Sequence, residues 1–255
     1  MKKLFEPTIS CEEKQPDWIY KPSDDIKWLE RGAGDGTTFE GEAFDVIANC
    51  FSRSIKHKHA FLKVSNGAKY ILEASREIVC AFERGNKLLL FGNGGSASDA
   101  QHLAAEFVNR FKLERRALPA IALTTDGSVL TSISNDRSYD IVFAKQISAL
   151  GCKGDVAIGI TTSGKSPSII NGLVAAKEFG LTTILFGGGM MEVSQPHFPG
   201  LADVYLWVRS TDTPRIQEVH ITIGHTICAL VDWHYSGEVD LCKSRMTNKK
   251  TKSQK

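Results

Sequence analysis

The sequence predicts a three-layer α/β/α domain: a five-stranded parallel sheet, helices before it, and one long helix at its end. Three observations carry this. Short, near-continuous apolar runs recur after Gly85, in the order "KLLLF", "PAIAL", "DVAIGI", "TTILF" and "DVYLWV", the texture of strands buried on both faces. Helical stretches lie between most of them, at 97–111, 127–150 and 167–179, as strands that all run the same way require. A stretch over roughly 214–235, opened by Pro214 and apolar toward its end, fits a closing helix whose first turn suits proline.

The elements follow in order. Residues 1–38 hold Pro7, Pro16, Pro22, clustered charge and "RGAGDGTT", and read as an irregular extension. Trp18, Tyr20 and Trp28 within it are expected to pack on the domain or on a neighbouring subunit. From Glu40, "GEAFDVIANCFSRSI" and "GAKYILEASREIVCAFERG" place apolar residues at three- and four-residue spacing, the period of two helices. The main domain is thus expected over 39–236. Residues 237–255 form a basic tail ending in "KSRMTNKKTKSQK", which has little to bury and reads as solvated.

Composition excludes several classes. A net charge of +2 gives no reason to expect nucleic acid or an acidic membrane as partner. No run approaches the ~20 apolar residues of a membrane span, and none after the N-terminal lysines resembles a signal peptide. The six cysteines are far apart in sequence and form no C-x-x-C pair, so neither a zinc ribbon nor a disulfide framework is expected. A cytoplasmic protein with reduced thiols is the simplest expectation.

Ligands of such sheets bind beyond the carboxyl ends of the strands, which singles out loops 92–102, 124–136 and 161–168. The last contains "GITTSGKS" (159–166), which fits G-x-x-x-x-G-K-[ST]. Gly159 lies inside an apolar run and reads as strand, Pro167 removes an amide the cradle would use, and "TTILF" does not end in an acid that could hold magnesium. Thr161, Thr162, Ser163 and Ser166 at a helix start therefore suggest a cradle for a single phosphate, not for a nucleotide. The bland alternative is a helix cap with polar neighbours. Similarly, Gly92, Gly94 and Ala97 satisfy the dinucleotide spacing, but "PAIAL" lacks the expected acidic end, so a nicotinamide cofactor is disfavoured.

The helix after the glycine loop reads "DAQHLAAEFVNRF", with His102 and Glu106 one turn apart on one face. Such a pair can share a metal or act as acid and base; it can equally be a surface contact. On the closing helix Gln217, His220 and His225 spread over two turns. Spacing does not choose among them, and a buried core histidine remains the plain reading for either imidazole.

Taken together, "GNGGSASDAQHLAAE", "SND", "TTSGKS" and "RIQEVHITIGH" resemble the phosphoheptose isomerases of the sugar isomerase (SIS) superfamily, from about Glu40 to Trp233. The resemblance implies an enzyme that interconverts sedoheptulose 7-phosphate and D-glycero-D-manno-heptose 7-phosphate through an enediol, for heptose-containing surface glycans. It implies one zinc ion per subunit on His102, Glu106, Gln217 and His225, with Glu106 as base and His225 as its acid–base partner. Substrate contacts are implied for Asn93, Gly94, Gly95, Glu106, Asn135, Asp136, Thr161, Thr162, Ser163, Ser166 and Gln217, and assembly for a homotetramer. Metal ligation weakens a carboxylate as a base, so whether Glu106 serves as base, ligand or both stays open.

The chain departs from the pattern at Pro214, where some relatives carry an acid, and over "GGGMMEVSQPHFPGLAD", which replaces a short polar link. A non-catalytic SIS protein that binds a protein partner, such as a replication initiator, or senses a sugar phosphate is the competing reading. The retained Glu106 and His225 favour the enzyme.

Overall fold

The structure is a computed structural model in which residues 39–190 and 200–242 are described. The expectations for Trp18, Tyr20 and Trp28, for the centre of the 187–203 insert and for the chain beyond Cys242 fall outside those residues. The chain divides into two compact units, at Arg53 and Ser54. That boundary lies inside the first described helix, α1 (Phe39–Val64), and the sheet belongs wholly to the second unit.

In chain order the second unit continues with α2 (Gly67–Glu83), β1 (Leu88–Gly92), α3 (Gly95–Val108), β2 (Ala120–Ala122) and α4 (Gly127–Asp136). A 3₁₀ turn (Tyr139–Ile141) leads to α5 (Val142–Leu150), β3 (Val156–Ile160) and α6 (Pro167–Glu178). β4 (Thr182–Gly188), β5 (Val204–Val208) and α7 (Thr213–Tyr235) complete it. The strands form one parallel sheet in the order β2-β1-β3-β4-β5.

β1, β3, β4 and β5 supply two cores by alternation, whereas β2 buries only Ala120 and Ala122, on one face, and leaves Ile121 exposed. Leu88, Leu90, Ile158, Ile184, Phe186 and Leu206 face a core completed by Ile78 of α2, Leu103 and Phe107 of α3, and Ile223 and Ile227 of α7. Leu89, Phe91, Ala157, Leu185 and Trp207 face the opposite core, with Phe143 and Ile147 of α5 and Ile169 and Leu173 of α6. Burial on both faces is why those four strands read as unbroken apolar runs. Each such side chain contributes about 1.5–3 kcal/mol. Among the described residues no helix is long and apolar enough to cross a membrane.

Three boundaries differ from expectation. The stretch 127–150 is not one helix: Arg137 leaves helical geometry at φ −135, ψ −93. The Ser138 hydroxyl then accepts from the Asp140 amide and starts the 3₁₀ turn, a local side-chain bond outcompeting helix continuation. The 97–111 helix instead runs Gly95–Val108, because the Arg115 guanidinium donates to the carbonyls of Glu106 and Phe107 at 2.7 and 2.9 Å and so closes its end. The start of the basic tail is folded, since Leu241 is only 4% exposed and Val239 and Cys242 pack on the core.

α7 also separates the two histidines that spacing left equivalent. His220 is 1% exposed; its Nε2–H donates to the Gly187 carbonyl at 3.1 Å, so Nδ1 carries no proton. Burial lowers its pKa from 6.5 to about 4, against the raising effect of the Gly187 bond. The unfolded chain therefore binds a proton between those values that the folded chain refuses, and stability falls as pH drops from 6.5 to 4. The linkage is worth about 3 kcal/mol. Urea midpoints measured across that window should fall less steeply for His220→Gln than for the parent; parallel slopes refute the assignment.

Candidate active site

His102 and Glu106 project from one face of α3, and α7 brings His225 to them across 123 residues of sequence. The imidazoles meet Nε2 to Nε2 at 2.8 Å, one donating and the other accepting. Glu106 Oε1 lies 3.5 Å from His102 Nε2, and one ligand atom from each of the three residues falls within 4.8 Å of the others. Phe111 stacks on the His225 ring, with centroids 5.3 Å apart. Burial, then the neighbouring His102, hold the His225 pKa below its ordinary value, with Glu106 pulling it back. His225 is thus neutral near pH 7, the form that ligates metals and accepts protons. Two imidazole nitrogens and a carboxylate suit a borderline divalent cation such as zinc.

The fourth implied ligand, Gln217, reaches α3 from α7. Its carboxamide lies against Gly95, where any Cβ would collide with the side-chain nitrogen. That contact sits at the first residue of α3, about two turns before His102. Gly94, just ahead, has φ 56 and ψ −124, a conformation that glycine alone adopts freely.

The glycine loop is tied to its neighbours through Asn93. Asn93 Nδ2 donates to Ser168 Oγ on α6 at 3.0 Å, and the Tyr139 hydroxyl donates to Asn93 Oδ1 at 2.7 Å. On the hydroxyl loop, Thr161 is buried while Ser163 is exposed. Gly164 N donates to Thr161 Oγ1 at 3.3 Å and Lys165 N to Ser163 Oγ at 3.2 Å. Ser166 stands at the N-cap of α6 without bonding its amides; its hydroxyl faces Thr161 Oγ1 at 3.4 Å instead. Thr162 is half-buried beside them. The amides that a capping side chain would otherwise occupy are the anion-binding end of that helix. Asn135 and Asp136, exposed at the end of α4, bond to each other at 2.9 Å and to neither loop.

Known proteins resolve what this arrangement belongs to. The family model described as "SIS domain" matches residues 53–188. A phosphoheptose isomerase of Aquifex aeolicus is 48% identical over 190 residues, covering 73% of this chain and 94% of that one. The chain belongs to the phosphoheptose isomerases. Among solved structures, the phosphoheptose isomerase of Neisseria gonorrhoeae superposes with a TM-score of 0.66 at 39% identity, covering 74% of this chain and 97% of that one. The Francisella tularensis phosphoheptose isomerase gives 0.69 at 34% identity, with 74% and 98% covered. The chain is a sugar-phosphate isomerase enzyme of the SIS fold.

Several residues of the isomerase site escaped the sequence reading. Asp99, one turn before His102, is held above the usual carboxylate range by burial, with His102 pulling the other way; its Oδ2 has no hydrogen-bond partner. The i, i+3 spacing to His102 is a signal that was there to use. Tyr139, Ser168 and Phe111 carry no such signal, because each acts through a contact between distant elements. Arg115 and Asp232 are the least legible. Their side chains are each 1% exposed and bond Nε to Oδ1 at 2.7 Å, while Asp232 Oδ2 accepts from the amides of Lys112 and Leu113 at 2.7 and 2.9 Å. This buried pair joins the end of α3, which carries Glu106, to α7, which carries His225.

Proposed function

We propose that the chain isomerises sedoheptulose 7-phosphate to D-glycero-D-manno-heptose 7-phosphate by proton transfer through an enediol. The observation that carries the reading is the convergence of His102, Glu106 and His225 in a chain of this family. The Glu106 carboxylate removes a proton from C1 and returns it to C2. His225, neutral at the working pH, carries the accompanying proton from the C1 hydroxyl to the C2 oxygen, so two hydrogens move from the C1 end to the C2 end and the molecule undergoes no net redox change. The hydroxyls of Thr161, Thr162, Ser163 and Ser166 and the first amides of α6 hold the phosphate, each charge-assisted bond contributing about 1.5–3 kcal/mol. Asn93, Gly94, Gly95, Asn135, Asp136 and Gln217 orient the sugar hydroxyls.

His102, Glu106 and His225, with Gln217, would hold one zinc ion. When bound, the ion polarises the substrate carbonyl and stabilises negative charge on its oxygen. Purified protein incubated with a panel of ketose phosphates should turn over the seven-carbon substrate, lose activity to a chelator and regain it with zinc. Equal turnover after exhaustive chelation removes the metal, and no turnover of any ketose phosphate removes the isomerase reading.

The same reading makes the protein a cytoplasmic homotetramer that supplies heptose phosphate to surface-glycan synthesis. Assembly is supported by an apolar hollow of 330 Å³ lined by Leu113, Ala229, Leu230 and Trp233, on the stretch of α7 just after His225. Light scattering should give four chain masses; a monomer at micromolar concentration refutes it.

A further inference from the structure

The isomerase site uses no cysteine, yet the fold brings two thiols together. Cys80 Sγ on α2 and Cys242 Sγ beyond α7 lie 2.9 Å apart across 162 residues of sequence. A disulfide has its sulfurs at ~2.05 Å, so the pair needs less than about 1 Å of further approach. The geometry is held from several sides. Leu241, 4% exposed, anchors the segment in the core, and Val239 and Cys242 pack beside it. The Leu241 amide donates to His234 Nδ1 at 3.4 Å, the Cys242 amide to Asp240 Oδ1 at 3.0 Å, and His234 Nε2 stands 4.0 Å from Glu83 Oε1 at the end of α2. Cys80 is nearly enclosed at 9% exposure, while Cys242 keeps a partly open face. Oxidant can therefore reach one sulfur, and the other waits behind it.

We propose that Cys80 and Cys242 form a thiol–disulfide modification site, closed by a small-molecule disulfide into an intramolecular bond that clamps the chain's end onto α2. The step balances as two exchanges. The Cys242 thiolate attacks one sulfur of the oxidant, releasing a first small thiol and leaving a mixed disulfide on Cys242. The Cys80 thiolate then attacks Cys242 Sγ and expels the second small thiol. Two protein thiols are oxidised, one small disulfide is reduced, and the two protons leave on the released thiols. Burial and the adjacent Cys80 push the Cys242 thiol up to about 12, so the attacking thiolate is scarce at neutral pH and closure accelerates as pH rises. The closed loop spans the whole sheet and both helices that carry His102 and His225. A cross-link of that span restricts the unfolded chain most, whereas it leaves the residues of the site untouched.

The test uses the full-length chain incubated with oxidised glutathione at pH 7 and pH 9. Expected results are a Cys80–Cys242 linked peptide by mass spectrometry, faster formation at pH 9, and a melting temperature raised by at least ~5 °C, all reversed by dithiothreitol. Cys242→Ser should show neither the peptide nor the oxidant-dependent rise, with isomerase activity within about twofold of the parent. Free thiols that persist, a glutathione adduct that stays on Cys242, or links joining Cys50, Cys152 or Cys228 instead would overturn the site. A linked peptide without a rise in melting temperature overturns the clamp.

Discussion

Glu106→Gln is expected to lower kcat by about 10³-fold, inside the ~10²–10⁴ that a positioned acid or base contributes, while the melting temperature stays near the parent's. That loss corresponds to about 4 kcal/mol of barrier. The Glu106 side chain is 22% exposed and meets His102 Nε2 at 3.5 Å. An amide of the same shape therefore opens no cavity and strands no charge, which confines the effect to chemistry. Steady-state kinetics at saturating zinc divides the two roles left open for this carboxylate. A lost kcat with KM near parental marks a group that acts in the transition state. Activity that is lost at low zinc but parental at saturating zinc reassigns Glu106 to holding the ion alone. A variant that keeps more than a tenth of parental kcat ends its role as base.

Arg115→Ala should lower the melting temperature by about 10 °C. Removing one partner of a buried ion pair costs about 3–5 kcal/mol, and each kcal/mol shifts a domain of this size by ~2–4 °C. Here no solvent screens the pair, both side chains being 1% exposed. Burial works to raise the Asp232 carboxyl, but the amides of Leu113 and Lys112 and the Arg115 guanidinium outweigh it and hold the group below the usual carboxylate range. A depressed folded pKa contributes stability that is present above the unfolded value and lost as pH falls through the folded one. The Arg115→Ala penalty should therefore shrink in strong acid. Arg115 also donates to the carbonyls of Glu106 and Phe107, so the end of α3 frays when it is removed. A double-mutant cycle with Asp232→Asn should return a coupling of up to ~3 kcal/mol. Scanning calorimetry that places Arg115→Ala within 2 °C of the parent would sink the stabilising role of the Arg115–Asp232 pair.

These two residues also mark how far the sequence can be read. Glu106 was legible because His102 stands one turn before it, behind a glycine loop that opens a helix; both cues are local. The place of the hydroxyl run from Thr161 to Ser166, between a strand and a helix, was legible for the same reason: Gly159 is a strand residue in β3 and Pro167 opens α6, as the sequence reads. Arg115 was not legible. Nothing in "KLERRAL" separates it from Arg116, whose Nη2 reaches the Tyr235 hydroxyl near the surface. The difference between the two arginines is burial, which only the packing of α7 creates. The break at Arg137 was missed because the apolar period continues through it, while a serine hydroxyl ends the helix.

The sequence by itself determined the layers, the parallel sheet and the loops that follow the strand ends. Strand alternation, helix period and glycine or proline punctuation are properties of neighbouring residues, and they survive in any reading of the chain. Helical spacing left His220 and His225 open and only the resemblance favoured His225; tertiary structure supplies the physical difference between these two residues, five apart on one helix. α7 packs beside α2 and α3 in one core so that one ring points at the Gly187 carbonyl and the other at His102. It also decided that Gln217 meets Gly95 and that Cys80 meets Cys242. Each of these depends on how far apart two distant stretches of chain come to rest. That is set by the summed packing of two cores, and no local pattern encodes it.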